Sequence, residues 1–342
     1  MQNVSNASSS IVWTGTLKIT AVAHVAYAVQ GLLMIWGNAL ILLAVALNNR
    51  LHTKDFCLPA VLAVGDFCQG MGNLLGGVRR LVLIADNRHE GHATAWHCAT
   101  TSPIVWWLVA KYLSNGAMLC ISMDRLLACF NPMVYIKVTS NHLLAESATL
   151  IAVTLALTAG MYVDSYMQIQ TPIHSIFCYT SVPFSASFFI FLLNYQIVSG
   201  ILSTIIYSLA LFCVRCRKSG EMSELLRKNA ERQWKVTKML LNVVFMSFFV
   251  QTVPQGLRLV AKTISTDFYD AVNPILNVII HINYLNNIVI YVVKNKEMRY
   301  SIQSLMCCQN PRRNAVTEIS KATQPNISRQ TNRLKIANSS IA

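Results

Sequence analysis

A few polar side chains interrupt the long apolar stretches of this sequence. A charge or an amide in such a stretch is costly to bury, so each one is a candidate functional residue. An aspartate or an arginine there can form an ion pair, an asparagine can donate and accept hydrogen bonds, and a lysine can bind an acceptor group. These residues are Asn38, Asp66, Lys111, Arg125, Asn283 and Asn287.

Patterns typical of an enzyme are missing from the sequence. We find no metal-ligand spacing, no nucleophile elbow and no phosphate-binding loop. The eight histidines are scattered along the chain, which favours roles in the core or in loops over metal binding. We therefore predict a protein with neither enzymatic activity nor a cofactor.

The elements that must position the polar residues are membrane-spanning helices. Hydrophobic residues make up 54% of the 342 residues and charged residues only 12%, far from the balance of a soluble domain. A helix needs about 20 mostly apolar residues to cross a bilayer. The predicted fold is an all-α bundle of seven transmembrane helices, at Ala21–Leu47, Phe56–Ala85, Thr101–Phe130, Leu143–Val163, Ser185–Val214, Trp234–Val260 and Ala271–Val293.

The positions of the basic residues predict the orientation of the bundle. Most of the 28 Lys and Arg lie in or beside the gaps after spans one, three, five and seven, and basic loops stay on the cytoplasmic side. They form no stripe that would bind nucleic acid, despite a net charge of +14. A multi-pass protein of the plasma membrane with its N-terminus outside is expected, and glycosylation is predicted at the sequons of Asn3 and Asn6.

The end of the chain has a different character from the bundle. A short basic amphipathic stretch follows the seventh span and should lie in the membrane interface against the lipids. Cys307 and Cys308 at its end are predicted palmitoylation sites, with two free thiols in a loop as the alternative. The predicted regions are an extracellular N-terminus at 1–20, the transmembrane domain at 21–293, an interfacial eighth helix at 294–308 and a disordered cytoplasmic tail at 309–342.

Five motifs place most of these polar residues on successive spans. They are Gly37-Asn38, Leu62–Asp66 preceded by Leu51–Thr53, Asp124–Tyr135, Phe248–Pro254 and Asn283–Tyr291. In this order and on these spans they resemble the rhodopsin-like (class A) family of G-protein-coupled receptors, and they are most similar to its divergent nematode serpentine chemoreceptors. The chain departs from the family pattern at Leu126, at Thr252 in place of a tryptophan, and at Ile288 in place of a proline.

The resemblance implies a signalling mechanism. An extracellular ligand, here a small chemosensory molecule, would shift the receptor from an inactive to an active form that binds a heterotrimeric G protein. Asp124 and Arg125 would pair in the closed form, and Arg125 would regroup with Tyr207 and Tyr291 on opening, with Asn287 also in the activation set. The alternative for Arg125 is a topology anchor that extends to the lipid headgroups. Serines and threonines of the tail, including Thr317, Ser320 and Thr323, would bind arrestin once phosphorylated.

The resemblance also implies a disulfide and an ion site. Cys98 and Cys178 would form the disulfide, although Cys98 lies two residues further from Arg125 than is usual in the family, so a bulge or a shifted helix start is expected. Oxygen atoms would hold sodium as an allosteric modulator. The alternative is a protonated Asp66 hydrogen-bonded to Asn38 and Asn287. The predicted sodium ligands are Asp66, Ser114, Asn283 and Asn287.

A ligand site is predicted in the half of the bundle that faces outside. Lys111 lies 14 residues before Arg125, too deep for easy contact with either surface. It would line the ligand cavity beside Trp107, with Arg258 at the mouth, and favour a ligand that carries a carboxylate or another acceptor. The alternative is a structural Lys111 satisfied by Asp164 or by backbone carbonyls. The predicted ligand-binding residues are Trp107, Lys111, Thr252, Arg258 and His281.

Two other classes of function remain open from the sequence. A transporter or channel would place charges on several helices along a pathway, whereas the charges deep in these spans are essentially Asp66 and Lys111. A receptor-like scaffold that binds no small ligand is the second alternative, and ligand-dependent nucleotide exchange distinguishes it from a signalling receptor.

Overall fold

The structure is a computed structural model of the 342-residue chain. It describes residues 3–48, 51–52, 54–86, 93–169, 172–173, 176–178, 184–216, 234, 237–238 and 240–307. The side chains of Asn3 and Asn6, the thiol of Cys308 and the whole tail with Thr317, Ser320 and Thr323 lie outside the described residues.

The described residues form a helical bundle with one short strand pair. We number the helices in chain order as α1 (Asn3–Leu47), α2 (Lys54–Ala85), α3 (Ala95–Ala99), α4 (Ser102–Phe130), α5 (Pro132–Lys137), α6 (Ser140–Met167), α7 (Ala186–Cys216), α8 (Leu240–Ile264), α9 (Thr266–Lys294) and α10 (Lys296–Met306), and the strands as β1 (Ala93–Thr94) and β2 (Pro172–Ile173).

The seven predicted spans correspond to α1, α2, α4, α6, α7, α8 and α9. All but α2 are long and apolar enough to cross a membrane when judged by length and composition alone. Helix α2 has the length but also carries buried polar side chains, and these lower its hydropathy. They are Asp55, Asp66, Gln69, Asn73 and Arg80.

Helix α4 is the central helix of the bundle. In its most apolar stretch 72% of the residues are buried, against 22% for α6, so α4 is surrounded by other helices while α6 presents most of its surface outward. Because a helix at the centre contacts several neighbours, polar side chains on α4 can reach partners on α2, α7 and α8. The predicted functional residues Trp107, Lys111, Ser114 and Arg125 all lie on this helix.

Local sequence explains where several helices begin or change geometry. The side-chain oxygens of Asn131, Ser265 and Asn295 accept hydrogen bonds from the first turns of α5, α9 and α10, as N-cap residues do. Within α8 the segment Phe248–Thr252 is a π-helix that ends two residues before Pro254, a residue that has no N–H to donate to the helix.

The end of the bundle that carries the disulfide is called the outer end here, and the end with α5 and α10 the inner end. The predicted Cys98–Cys178 disulfide is confirmed. Cys98 lies on the separate helix α3, and the two residues Thr100 and Thr101 interrupt the helix before α4 begins. This break accommodates the two additional residues between Cys98 and Arg125.

Two arginines of α2 hold the loop that contains Cys178. Arg79 donates to the Ile176 carbonyl (3.0 Å), and Arg80 donates to the carbonyls of Phe177 (2.9 Å) and Cys178 (3.2 Å). Strands β1 and β2 pair antiparallel beside it. The loop is therefore fixed over the outer end of the bundle by a covalent bond, by arginines and by backbone pairing.

Helices α1 and α2 approach each other closely at a glycine pair. A Cβ at Gly31 would lie 2.5 Å from the Leu74 nitrogen and 2.7 Å from the Gly70 carbonyl oxygen. Both contacts are to backbone, which cannot rotate away. Gly160 on α6 is different, because a Cβ there would have no heavy atom within 4 Å.

We predict that Gly31→Ala destabilises the protein while Gly160→Ala does not. Overpacking at Gly31 should cost about 1–3 kcal/mol, whereas alanine in an open helical position gains up to about 1 kcal/mol over glycine. Thermal denaturation of the purified protein in detergent measures both effects. Equal melting temperatures for the two variants would contradict the close approach of α1 and α2.

Candidate functional site

Arg125 lies almost fully buried near the inner end of α4, with 2% of its surface exposed. Its Nε donates to Asp124 Oδ2 at 2.9 Å, and its guanidinium also forms an ion pair with Asp124. It donates to the Tyr135 hydroxyl at 2.8 Å from α5. The guanidinium thus points into the protein, which excludes the alternative of a headgroup anchor.

A second carboxylate contacts the same guanidinium. Asp55 at the start of α2 lies 3.5 Å from Arg125, with its side chain only 5% exposed. The sequence analysis missed Asp55. The signal was its position eleven residues before Asp66, about three helical turns, which puts both aspartates on the same face of α2.

Tyr135 links the two aspartates of this cluster. Its hydroxyl lies 3.4 Å from Asp124 Oδ2 and 3.5 Å from Asp55 Oδ1. Burial raises the pKa of Tyr135, an effect that the nearby Arg125 charge partly opposes, so the hydroxyl keeps its proton and remains a donor. Residues Asp55, Asp124, Arg125 and Tyr135, called the inner cluster below, join α2, α4 and α5.

The two tyrosines predicted to meet Arg125 are buried nearby. The Tyr207 hydroxyl donates to the carbonyl of Thr237, which ties α7 to the chain just before α8. The Tyr291 hydroxyl has no hydrogen-bond partner among the described residues. A buried hydroxyl without a partner is energetically unfavourable, so Tyr291 has a donor to offer if its surroundings change.

Asp66 lies at the middle of the bundle with two hydrogen-bond donors. Ser114 Oγ donates to Asp66 Oδ1 at 3.0 Å, and Asn287 Nδ2 donates to Oδ2 at 2.9 Å. Asn38 is directed elsewhere, because its side chain donates to the Met34 carbonyl. The alternative that paired Asp66 with Asn38 is therefore wrong in that contact, while its contact with Asn287 is present.

A small cavity of about 10 Å³ adjoins Asp66, close to what one water molecule requires. All four predicted sodium ligands line it, namely Asp66, Ser114, Asn283 and Asn287. The side-chain oxygens of Asn283 and Asn287 are buried without a hydrogen-bond partner among the described residues. Carboxylate, hydroxyl and amide oxygens around such a space are the ligands that a hard cation prefers, so these residues fit a sodium ion.

The predicted ligand-binding residues fall into two clusters towards the outer end. In the first, Trp107 Nε1 donates to Asn73 Oδ1 at 2.8 Å, and Gln69 Nε2 donates to the same oxygen at 3.0 Å. His281 on α9 lies 3.3 Å from Gln69. The indole of Trp107 lies against Gly72, where a Cβ would be 2.5 Å from its Cδ1. Trp107 therefore packs on α2.

The second cluster begins at Lys111, one helical turn after Trp107 on α4. Lys111 Nζ donates to Gln196 Oε1 on α7 at 3.5 Å, and Gln255 Nε2 on α8 donates to the same oxygen at 2.7 Å. Arg258 NH1 donates to Gln255 Oε1 at 3.1 Å, and its NH2 donates to the Tyr269 hydroxyl at 3.3 Å. The structure thus links Lys111 to Arg258, but through two glutamines that sequence reasoning missed.

Two further residues of the sequence predictions, Asp164 and Thr252, make contacts other than those predicted. Asp164, the proposed structural partner of Lys111, instead accepts hydrogen bonds from the Ser185 nitrogen (2.8 Å) and from Gln168. Thr252 is buried where α8 meets Gly200 of α7, and any Cβ at that glycine would overlap it. The absence of a side chain at Gly200 therefore permits Thr252 and α8 to lie close to α7.

Hydrogen bonds connect the second outer cluster with the cavity beside Asp66. Asn115 donates to the Lys111 carbonyl (2.7 Å) and accepts from Gln251 Nε2 (3.1 Å). Gln251 in turn accepts from Asn283 at 2.8 Å. Gln251 lies in the π-helical segment of α8, so this polar path passes through the irregular part of the helix.

A comparison with protein-family models agrees with this arrangement. The model described as 7 transmembrane receptor (rhodopsin family) matches residues 37–291. The chain therefore belongs to the rhodopsin family of seven-transmembrane receptors. A search of the curated proteins finds no match to it.

Proposed function

We propose that this protein binds an extracellular ligand in the outer half of its bundle and activates a heterotrimeric G protein at the inner end. The observation that carries the proposal is the inner cluster, in which one guanidinium joins two carboxylates and a phenol from three helices. Such a cluster holds the inner end closed, and the inner end can open only when Arg125 forms contacts with other partners. Tyr207 and Tyr291, both buried, are the partners that we propose for it.

Family membership favours a receptor over the transporter or channel alternative. The scaffold alternative shares the fold, and it differs only in lacking ligand-dependent nucleotide exchange. A small chemosensory molecule as the ligand and a nematode-type chemoreceptor role are the finer parts of the proposal. They rest on the motif resemblance in the sequence.

The remaining surface features complete the proposed receptor. The N-terminus lies outside the plasma membrane, with Asn3 and Asn6 glycosylated, and the tail inside binds arrestin after phosphorylation. Helix α10 lies along the lipid headgroups, as the interfacial helix predicted after the seventh span. Cys307 at its end is exposed, as palmitoylation requires, and Cys308 follows it.

Substitutions in the inner cluster test the signalling proposal. Asp55→Asn removes one charge-assisted contact to Arg125, worth about 1.5–3 kcal/mol, so it should raise ligand-independent nucleotide exchange on the G protein by about tenfold. Arg125→Ala should abolish exchange while surface expression persists. Exchange is measured with purified receptor and G protein in lipid nanodiscs.

Asp86→Asn serves as the matched control, because Asp86 is exposed just beyond the other end of α2 and loses the same charge. It should leave basal exchange unchanged. Normal signalling by Arg125→Ala, or equal basal exchange in the Asp55 and Asp86 variants, would refute the proposed latch.

We also propose that sodium binds beside Asp66 and favours the closed form. The ion would supply a positive charge for the carboxylate and a partner for the free oxygens of Asn283 and Asn287. Asp66 and Ser114 complete the set of ligands. By joining α2, α4 and α9 it would oppose their separation.

Sodium chloride should therefore raise the melting temperature of the purified receptor more than choline chloride at equal ionic strength. Asp66→Asn should remove that difference, because the ion loses its only charged ligand. Gln303→Asn on the exposed face of α10 should keep it. A sodium effect of equal size in the Asp66 variant would place the ion elsewhere.

A further inference from the structure

Lys111 and Arg258 are two buried cations near the outer end, with 6% and 3% of their surfaces exposed. A buried charge is stable only when paired or well hydrogen-bonded. Within the described part of the chain, neither residue forms an ion pair with a carboxylate. Their hydrogen-bond partners are the neutral side chains of Gln196, Gln255 and Tyr269.

Lys111 and Arg258 also have N–H groups that donate no hydrogen bond within the described residues. An ammonium has three protons to donate and a guanidinium five. Lys111 uses one of them, in a long contact of 3.5 Å to Gln196. The Nε of Arg258 is buried without a hydrogen-bond partner among the described residues. Free donors remain at both ends of the Lys111–Gln196–Gln255–Arg258 chain.

The two glutamines hold the cations near each other without neutralising them. Gln196 accepts from both Lys111 and Gln255, and Gln255 accepts from Arg258. An amide side chain can exchange its donor and acceptor ends by rotation. The chain can therefore adjust its hydrogen bonds to an incoming acceptor with little movement of the backbone.

Two buried clusters of apolar side chains contain neighbours of these four polar residues. Phe189 and Leu193 of α7 pack with Tyr269 in one buried cluster. Leu192, one turn from Gln196, belongs to a second cluster that includes Met161 and Tyr112. A ligand whose charged group lies among the side chains of Lys111, Gln196, Gln255 and Arg258 would have hydrocarbon surfaces around the rest of it.

We propose that Lys111 and Arg258 together bind the acid group of a small organic acid with an apolar body, and that Gln196 and Gln255 orient it. The inference rests on the proposed receptor function and specifies its ligand class. The acid supplies the negative charge that the site lacks. It also accepts hydrogen bonds from the unused donors, in an interior where such bonds are strong.

The competing account is that the two cations simply stabilise the bundle through the glutamines. The two accounts differ in the ligand-free protein. Two like charges buried without an anion destabilise the fold, so replacing either one with an apolar side chain of similar length should leave the melting temperature equal or higher. A structural role requires it to fall.

The experiment uses the purified full-length receptor in lipid nanodiscs, without a G protein. The probes are straight-chain carboxylates of about four to ten carbons, the size range of small pocket ligands, and the primary alcohols of the same lengths. Thermal stabilisation is measured for wild type, Lys111→Met and Arg258→Met. Lys262→Met is the control, because Lys262 lies one turn beyond Arg258, partly exposed over the Phe189 ring.

At least one carboxylate should stabilise wild type more than its matched alcohol. Its apparent affinity should fall by about tenfold or more in each of the Lys111 and Arg258 variants, as expected for loss of a charge-assisted hydrogen bond, and should persist in Lys262→Met. Each alcohol should change the melting temperature of all four proteins by the same amount.

Three results would overturn the proposal. They are equal effects of acids and alcohols on wild type, an acid effect that survives in the Lys111 and Arg258 variants, and ligand-free variants that melt well below wild type. Acid binding without any change in nucleotide exchange would instead count against the signalling proposal alone. The absence of a G protein from the binding assay keeps the two failures distinct.

Discussion

Arg125 lies out of water near the inner end of α4, and a guanidinium in that position requires negative charge beside it. The protein provides that charge from Asp124 on the same helix and from Asp55 on α2, with Tyr135 of α5 as a third partner. Because the partners come from different helices, the need to neutralise one charge fixes how the inner ends of α2, α4 and α5 meet. On the proposed mechanism, the inner end stays closed for as long as that pairing lasts.

A separate set of polar contacts runs from the middle of the membrane-spanning bundle towards its outer end. Asp66 joins α2 to α4 and α9 at mid-depth, and Gln251 links that region to the outer chain that contains Lys111. The π-helical segment of α8 contains Gln251 and precedes Pro254. A change at Lys111 can therefore reach α8 through hydrogen bonds at the place where this helix is least regular. Where the resembling motif has a tryptophan, this chain has the smaller Thr252, which packs against Gly200 of α7.

Much of this fold follows from the sequence, because a segment that crosses hydrocarbon must form its backbone hydrogen bonds internally and therefore becomes a helix. Apolar length predicted the seven spans, and motif spacing identified Asp66 and Arg125 as central residues. The missed residues, Asp55, Gln196 and Gln255, carry no local signal as clear as a motif. A glutamine on a helix is common, and its role depends on which neighbouring helix it faces. The orientation of Trp107 towards α2 likewise depends on Gly72, a contact between helices that spacing along one helix does not reveal.

The distance between the inner ends of α2 and α5 tests most directly whether the inner cluster keeps the bundle closed, because the cluster joins these two helices through Arg125. Spin labels at His52, just before α2, and at Lys137, the last residue of α5, both exposed, report that distance by pulsed electron resonance after the free cysteines are replaced. With the inner cluster intact and no ligand, the account predicts one dominant short distance. With Asp55 and Asp124 both changed to asparagine, a second and longer distance should become populated. An unchanged distance distribution in that variant would contradict the claim that the charge of Arg125 holds the inner end closed.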